Sequence, residues 1–212
     1  TRIDAEITLL ASETKPLAMW QPARLHHASA EVGARIVLLG EPIAPGTTAP
    51  VQLVLDGPLA AAALDRFVLR DVSATRTIGG GRFLDLRAPE RRRRSPERLA
   101  QLSALGHADA AEALLALLAV PPYHAEIDDF ARDRALGSGA AEILAGSLGI
   151  VRIGSLAMLP ERWQALGRTV ADTLDAYHAA HPDLPGMGLE RLRLAVAPRQ
   201  PAPLFRQALA QL

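Results

Sequence analysis

The most concentrated chemistry in this sequence is cationic. Arg91, Arg92, Arg93 and Arg94 follow one another directly after Ala88-Pro89-Glu90. Four adjacent guanidiniums repel, so the segment is either solvated and extended or countered by a partner. RNA phosphate is one such partner, and an acidic face of a neighbouring domain is another. Within residues 66–98, ten Arg stand against four Asp and Glu, although the whole chain has a formal charge of zero. A local excess of this kind meets a polyanion at one place without making the whole molecule adhere to nucleic acid.

Other reactive combinations are absent or better read as structure. A phosphate-cradling P-loop needs Gly-x-x-x-x-Gly-Lys-Ser/Thr. The only lysine is Lys15, in Thr14-Lys15-Pro16, so this chain is expected neither to bind nor to hydrolyse GTP. Gly79-Gly80-Gly81-Arg82 lacks the following helix that a dinucleotide turn demands. A bend at a barrel corner suits it instead. Asp175, His178 and His181 recur at three-residue spacing, which can ligate a metal, but a solvated helix end is the expectation because no further ligand cluster accompanies them. His26-His27 on a strand face opposite sides, and Asp128-Asp129 reads as helix surface. There is no Gly-x-Ser-x-Gly elbow, no cysteine, and no carboxylate pair set for acid–base work. No catalytic residue, metal ligand or cofactor site is therefore expected within these residues.

The elements that must position the arginines change character near Ala88-Pro89. Before it, period-2 alternation marks Ala5–Leu10, Ala23–His27, Val32–Leu39, Ala49–Leu55, Arg66–Arg70 and Thr75–Leu86, with Pro and Gly turns between them. About six short strands in under ninety residues favour a closed barrel or sandwich. After the arginines the period turns helical, over Ala108–Leu118, His124–Leu136 and Ser138–Leu148. Ser138 is expected to cap the third helix and Gly149 to end it. Ile150–Ile153, Gly154-Ser155 and Leu156–Leu159 then read as a hairpin with a two-residue turn. Three helices and a hairpin make a winged helix. Pro160 opens a long helix to about Ala180, and Gly188–Val196 and Pro203–Leu212 read as two more, giving a second, partial winged helix. The absence of an apolar run of ~20 residues argues against membrane insertion, and the absence of Cys suits a reducing, cytoplasmic setting. Thr1 and Leu212 look like cut ends, so an excised piece of a longer protein is expected.

Asp65-Arg66-Phe67-Val68-Leu69-Arg70-Asp71, followed by Thr77-Ile78-Gly79-Gly80-Gly81, resembles the closing strands of the third domain of elongation factor Tu-like GTPases. With Arg76, Arg82 and the arginine-rich linker, it is similar in particular to the bacterial selenocysteine-specific elongation factor. Leu38-Leu39-Gly40-Glu41-Pro42, Pro45-Gly46 and Ala49–Leu53 share that similarity. The resemblance implies a six-stranded antiparallel barrel (1–88), an arginine-rich linker (89–97), a first winged helix (98–160) and a truncated second one (161–212). It also implies a parent that binds GTP and Mg2+ in a domain outside this chain and delivers selenocysteinyl-tRNA to the ribosome, with an mRNA-hairpin-binding end further on. A monomer is expected. By resemblance the loop from Asp71 to Arg76 lies where third domains touch the tRNA T-stem backbone. Asp71 and Ser73 match contact positions there, and Arg76 suits a charge-assisted phosphate contact. A solvated hairpin tip is the other reading of this loop. Arg91, Arg92, Arg93 and Arg94 complete the expected RNA-binding set.

A winged-helix transcription regulator with a β-barrel sensor is the alternative. It needs a basic recognition helix, yet Gly139–Ser147 has no Arg or Lys and one Glu. The second module, with Arg191, Arg193 and Arg206, leaves the question open.

Overall fold

The structure is a computed structural model and describes residues 1–196 and 200–212. Six strands form its first part: β1 (Arg2–Leu9), β2 (Gln21–His27), β3 (Ala30–Leu38), β4 (Thr48–Leu55), β5 (Arg66–Arg70) and β6 (Thr77–Asp85). They pair antiparallel in the order β1-β4-β3-β2-β5-β6, and β6 returns to β1 to close the barrel. Closure follows from the alternation. Ile3, Ala5, Ile7 and Leu9 of β1 enter the core, as do Val51, Leu53 and Leu55 of β4. Closing the sheet on itself leaves no unpaired edge. Inside, Phe67 and Phe83 stack with ring centroids 4.7 Å apart.

Strand β6 passes through the glycine triplet without a break, pairing with Ile7, Thr8 and Leu9 on one side and Phe67, Val68 and Leu69 on the other. The glycines are needed for close approach rather than for a corner bend. A Cβ on Gly81 would lie 1.8 Å from the Glu6 carbonyl oxygen, and one on Gly79 2.6 Å from that of Thr8.

The chain divides into two compact units, residues 1–116 with 131–136, and residues 117–130 with 137–212. The first unit therefore holds more than the barrel. Helix α1 (Pro96–Leu105) starts at the N-cap Ser95, whose Oγ accepts from the Arg98 N–H, and Pro96 occupies its first turn. Leu102 and Leu99 pack against Leu39 and Leu84 on the barrel's outer wall. The sequence division assigns most of this helix to the first winged helix, whereas in the structure it is barrel cladding. Helices α2 (Ala110–Ala119) and α3 (Ile127–Asp133) follow.

In the second unit a sheet of order β7-β9-β8 is formed by β7 (Ala125–Glu126), β8 (Val151–Ile153) and β9 (Leu156–Met158). Gly154, at φ 65°, makes the expected tight turn. Strand β7 falls inside what the sequence reads as one helix over His124–Leu136, and α3 is shorter as a result. Helix α4 (Ala140–Leu148) is capped by Gly139, not by Ser138, and ends at Gly149 in the left-handed conformation. Helices α5 (Pro160–Ala180), α6 (Leu189–Ala195) and α7 (Ala202–Leu209) complete the chain. Ile153, Leu156 and Met158 of the hairpin share one core with Leu166, Val170, Leu204 and Phe205, so packing is continuous across residue 160. Among the described residues, no helix is long and apolar enough to cross a membrane.

Candidate nucleic-acid interface

The loop between β5 and β6 is braced from within. The Asp71 carboxylate accepts from the Thr75 and Arg76 backbone N–H groups at 2.7 and 3.0 Å and from the Ser73 and Thr75 hydroxyls at 3.0 and 2.7 Å. The Arg76 backbone N–H, the Thr75 hydroxyl and these further donors hold the carboxyl well below the usual carboxylate range. Asp71 and Ser73 thus use their polar atoms to shape the loop. Arg76 is over half exposed, and its guanidinium is ion-paired with Glu13. The loop presents outward a partly neutralised cation and Val72, which is 56% exposed.

The arginine run splits by direction. Arg91 and Arg92 are exposed, and their guanidiniums donate to no protein group among the described residues. Arg93 and Arg94 turn to the barrel. Arg93 Nη1 donates to Gln52 Oε1 at 3.2 Å, and Arg94 Nε donates to the Leu38 carbonyl at 3.0 Å. Arg91 and Arg92 are thus open to solvent, and Arg93 and Arg94 are held by uncharged barrel acceptors, with no acidic face countering them among the described residues.

A buried cluster beneath this run escaped the sequence reading. Asp4 and Gln52 are fully buried and Arg98 nearly so. Arg98 Nε donates to Asp4 Oδ2 at 3.0 Å, and its Nη2 is ion-paired with Asp4 and Asp85. Gln52 Nε2 donates to Asp4 Oδ1 at 2.9 Å and to the Pro89 carbonyl at 2.9 Å. Burial pushes the Asp4 carboxyl up, against the pull of Arg98 and Gln52. This cluster fastens α1 and the arginine run to the barrel. The sequence offers only one sign of it, a polar residue at every outward position of β1.

In the second unit, α4 presents no cation, and its Glu142 is ion-paired with Arg152 of β8, which also meets Asp128 at 3.2 Å. Arg193 is held by Glu190 and by the Gln200 carbonyl at 2.8 Å, and Arg191 lies 5.0 Å from the Tyr177 ring centroid. The His181 ring packs 4.7 Å from that of Tyr177.

A closed antiparallel barrel carrying an exposed arginine segment, continued by winged-helix elements, defines a barrel and winged-helix protein. The family profile described as "Selenocysteine-specific elongation factor, beta-barrel domain" matches residues 4–90, and that described as "Elongation factor SelB, winged helix" matches 171–212. Three curated relatives share the name selenocysteine-specific elongation factor. The Escherichia coli protein is 40% identical over 190 residues, covering 87% of this chain and 29% of its own length. That of Desulfomicrobium baculatum is 35% identical over 116 residues, covering 54% and 18%. That of Haemophilus influenzae is 26% identical over 199 residues, covering 90% and 31%. The chain belongs to the selenocysteine-specific elongation factor family, and it spans under a third of the length of these relatives.

Proposed function

We propose that this chain is the part of a selenocysteine-specific elongation factor that helps hold selenocysteinyl-tRNA and links it to the mRNA-reading end. The barrel (1–88) takes the acceptor and T-stem side of the tRNA. Residues 89–97 add cationic contacts, and the winged-helix modules (98–160 and 161–212) act as a spacer arm. Arg76, Arg91 and Arg92 contact phosphate. Asp71 and Ser73 shape the loop that offers Arg76, and Arg93 and Arg94 hold the segment in place. GTP and Mg2+ belong to a nucleotide-binding domain elsewhere in the full-length protein, which works as a cytoplasmic monomer on the ribosome. The observation that carries the reading is the match of the barrel, residues 4–90, to the barrel domain of this family. The cation-free α4 speaks against a winged helix that reads DNA, because it offers no donor fork to guanine.

Anisotropy titrations of the chain with a selenocysteine tRNA transcript, across salt concentrations, test this. Binding should weaken with salt, and Arg91→Ala/Arg92→Ala should lower the slope of log K against log salt by about 1–2, as loss of one or two phosphate contacts requires. No tRNA binding at roughly 50 mM salt, or equal affinity for a DNA duplex, would overturn it.

A further inference from the structure

Beside the arginine run the barrel exposes an aromatic ring. Trp20 sits in the turn leading into β2, 47% exposed, with Met19 exposed next to it. Its backbone is left-handed at φ 62°, a region that bulky residues avoid, and its N–H donates to the Ile36 carbonyl at 2.8 Å. The main chain that carries the ring is thus tied to β3 on the outer wall. The Arg93 guanidinium lies 5.7 Å from the indole centroid while Gln52 holds its Nη1, and Arg94 Nη2 reaches the Met19 sulfur at 3.6 Å. Arg91 and Arg92 stand exposed in the same segment. Of the carboxylates in that segment, Glu90 meets Arg2 at 3.5 Å, and Glu97 is held first by the Ser95 side chain, with Arg92 as the weakest influence on it.

We propose that Trp20 is a stacking platform for an unpaired base of the bound tRNA, with Arg93 backing the indole and Arg91 and Arg92 taking the flanking phosphates. An exposed aromatic ring set among guanidiniums is the means by which proteins hold unpaired nucleotides, because every base offers a π-face and every linkage a charge. An acidic peptide would satisfy the arginines but leave the indole uncovered. A continuous duplex hides its base faces in the stack.

The inference rests on the reading that the barrel holds tRNA, and the two can fail separately. Trp163 is the only other tryptophan. In a Trp163→Phe background, Trp20 fluorescence should be quenched on titration with the tRNA transcript. Trp20→Ala should weaken binding about tenfold, within the range for loss of one base–aromatic stack, and Trp20→Phe should recover most of that loss. Blunt duplex RNA and polyglutamate should leave the fluorescence unchanged. Quenching of equal size by either of them overturns the platform. So does tRNA binding with unchanged fluorescence and Trp20→Ala affinity within twofold of the parent, a result that leaves the proposed function standing. Absence of tRNA binding in every variant removes both.

Discussion

Arg98→Ala tests whether buried charge fastens α1 and the arginine run to the barrel. The Arg98 side chain is 9% accessible, that of Asp4 0% and that of Asp85 17%. Removing the guanidinium leaves Asp4 with the Gln52 amide, 2.9 Å away, as its remaining side-chain donor. Breaking a buried pair from one side costs about 3–5 kcal/mol. Asp4 can relieve part of this by taking up a proton, since burial already drives its carboxyl upward, so the low end, about 3 kcal/mol, is expected. With a urea m-value of about 1–3 kcal/mol/M, the midpoint should fall by about 1–3 M.

In the Trp163→Phe background, Trp20 lies in the first unit and reports its unfolding by fluorescence. The pH dependence has a definite sign. In the variant, the folded-state pKa of Asp4 lies above its unfolded value, so the folded state binds more protons and stability falls as pH rises. The deficit should accordingly be smaller near the ordinary carboxylate pKa than at pH 7. Asp4→Asn/Arg98→Met, which removes the two most buried charges, should restore part of the loss, because only Asp85, 17% accessible, is left without its cation. A deficit under about 1 kcal/mol at pH 7, no more than an average point substitution costs, would refute the clamp. A deficit that does not vary with pH would refute the role given to Asp4.

Gly81→Ala would place its Cβ 1.8 Å from the Glu6 carbonyl oxygen, so β1 and β6 must part. It should cost more than about 3 kcal/mol by the same urea assay, against roughly ±0.5 kcal/mol for Gly40→Ala, where nothing lies within 4 Å. The Asp71 carboxyl should titrate below the ordinary carboxylate value by NMR. Its depressed pKa means that its bracing of the loop is present at neutral pH and is lost only as pH falls below that value. Asp71→Asn should speed amide exchange at Thr75 and Arg76 at neutral pH, and unchanged exchange would remove it as the brace.

Local period carried most of the fold. Alternation marks β1, β2 and β5 most clearly because one face meets the core, whereas in β3, β4 and β6 outward Val37, Gln52 and Leu84 are buried as well; α5 declares itself through Pro160 and a long amphipathic run. Strand β7 is two residues long, too short to impose a period, so it is hidden in a helical pattern. Gly139 displaces Ser138 as cap through a backbone conformation that composition does not reveal. The site was less legible because its meaning lies in distant pairs. Arg76 meets a carboxylate 63 residues away, and Arg98 reaches one 94 residues away. Trp20 carries no periodic signal at all, since its exposure depends on a single left-handed residue in a turn.

Four like charges in a row are tolerable only if the chain separates them, and the structure shows how it does so. Arg92 is left-handed at φ 54°, and its carbonyl accepts from the Ser95 N–H at 3.1 Å, turning the backbone between the second and third arginines. Arg93 and Arg94 are thereby directed to a glutamine amide and a strand carbonyl, neutral acceptors that hold a guanidinium without cancelling its charge. Carboxylates at those places would have anchored the segment equally well and erased its field. The buried pairing of Arg98 with two acidic groups supplies the anchoring charge where no ligand can reach it. Fastening and display are therefore assigned to different arginines within eight residues, so a positive surface can be rigid without being neutralised.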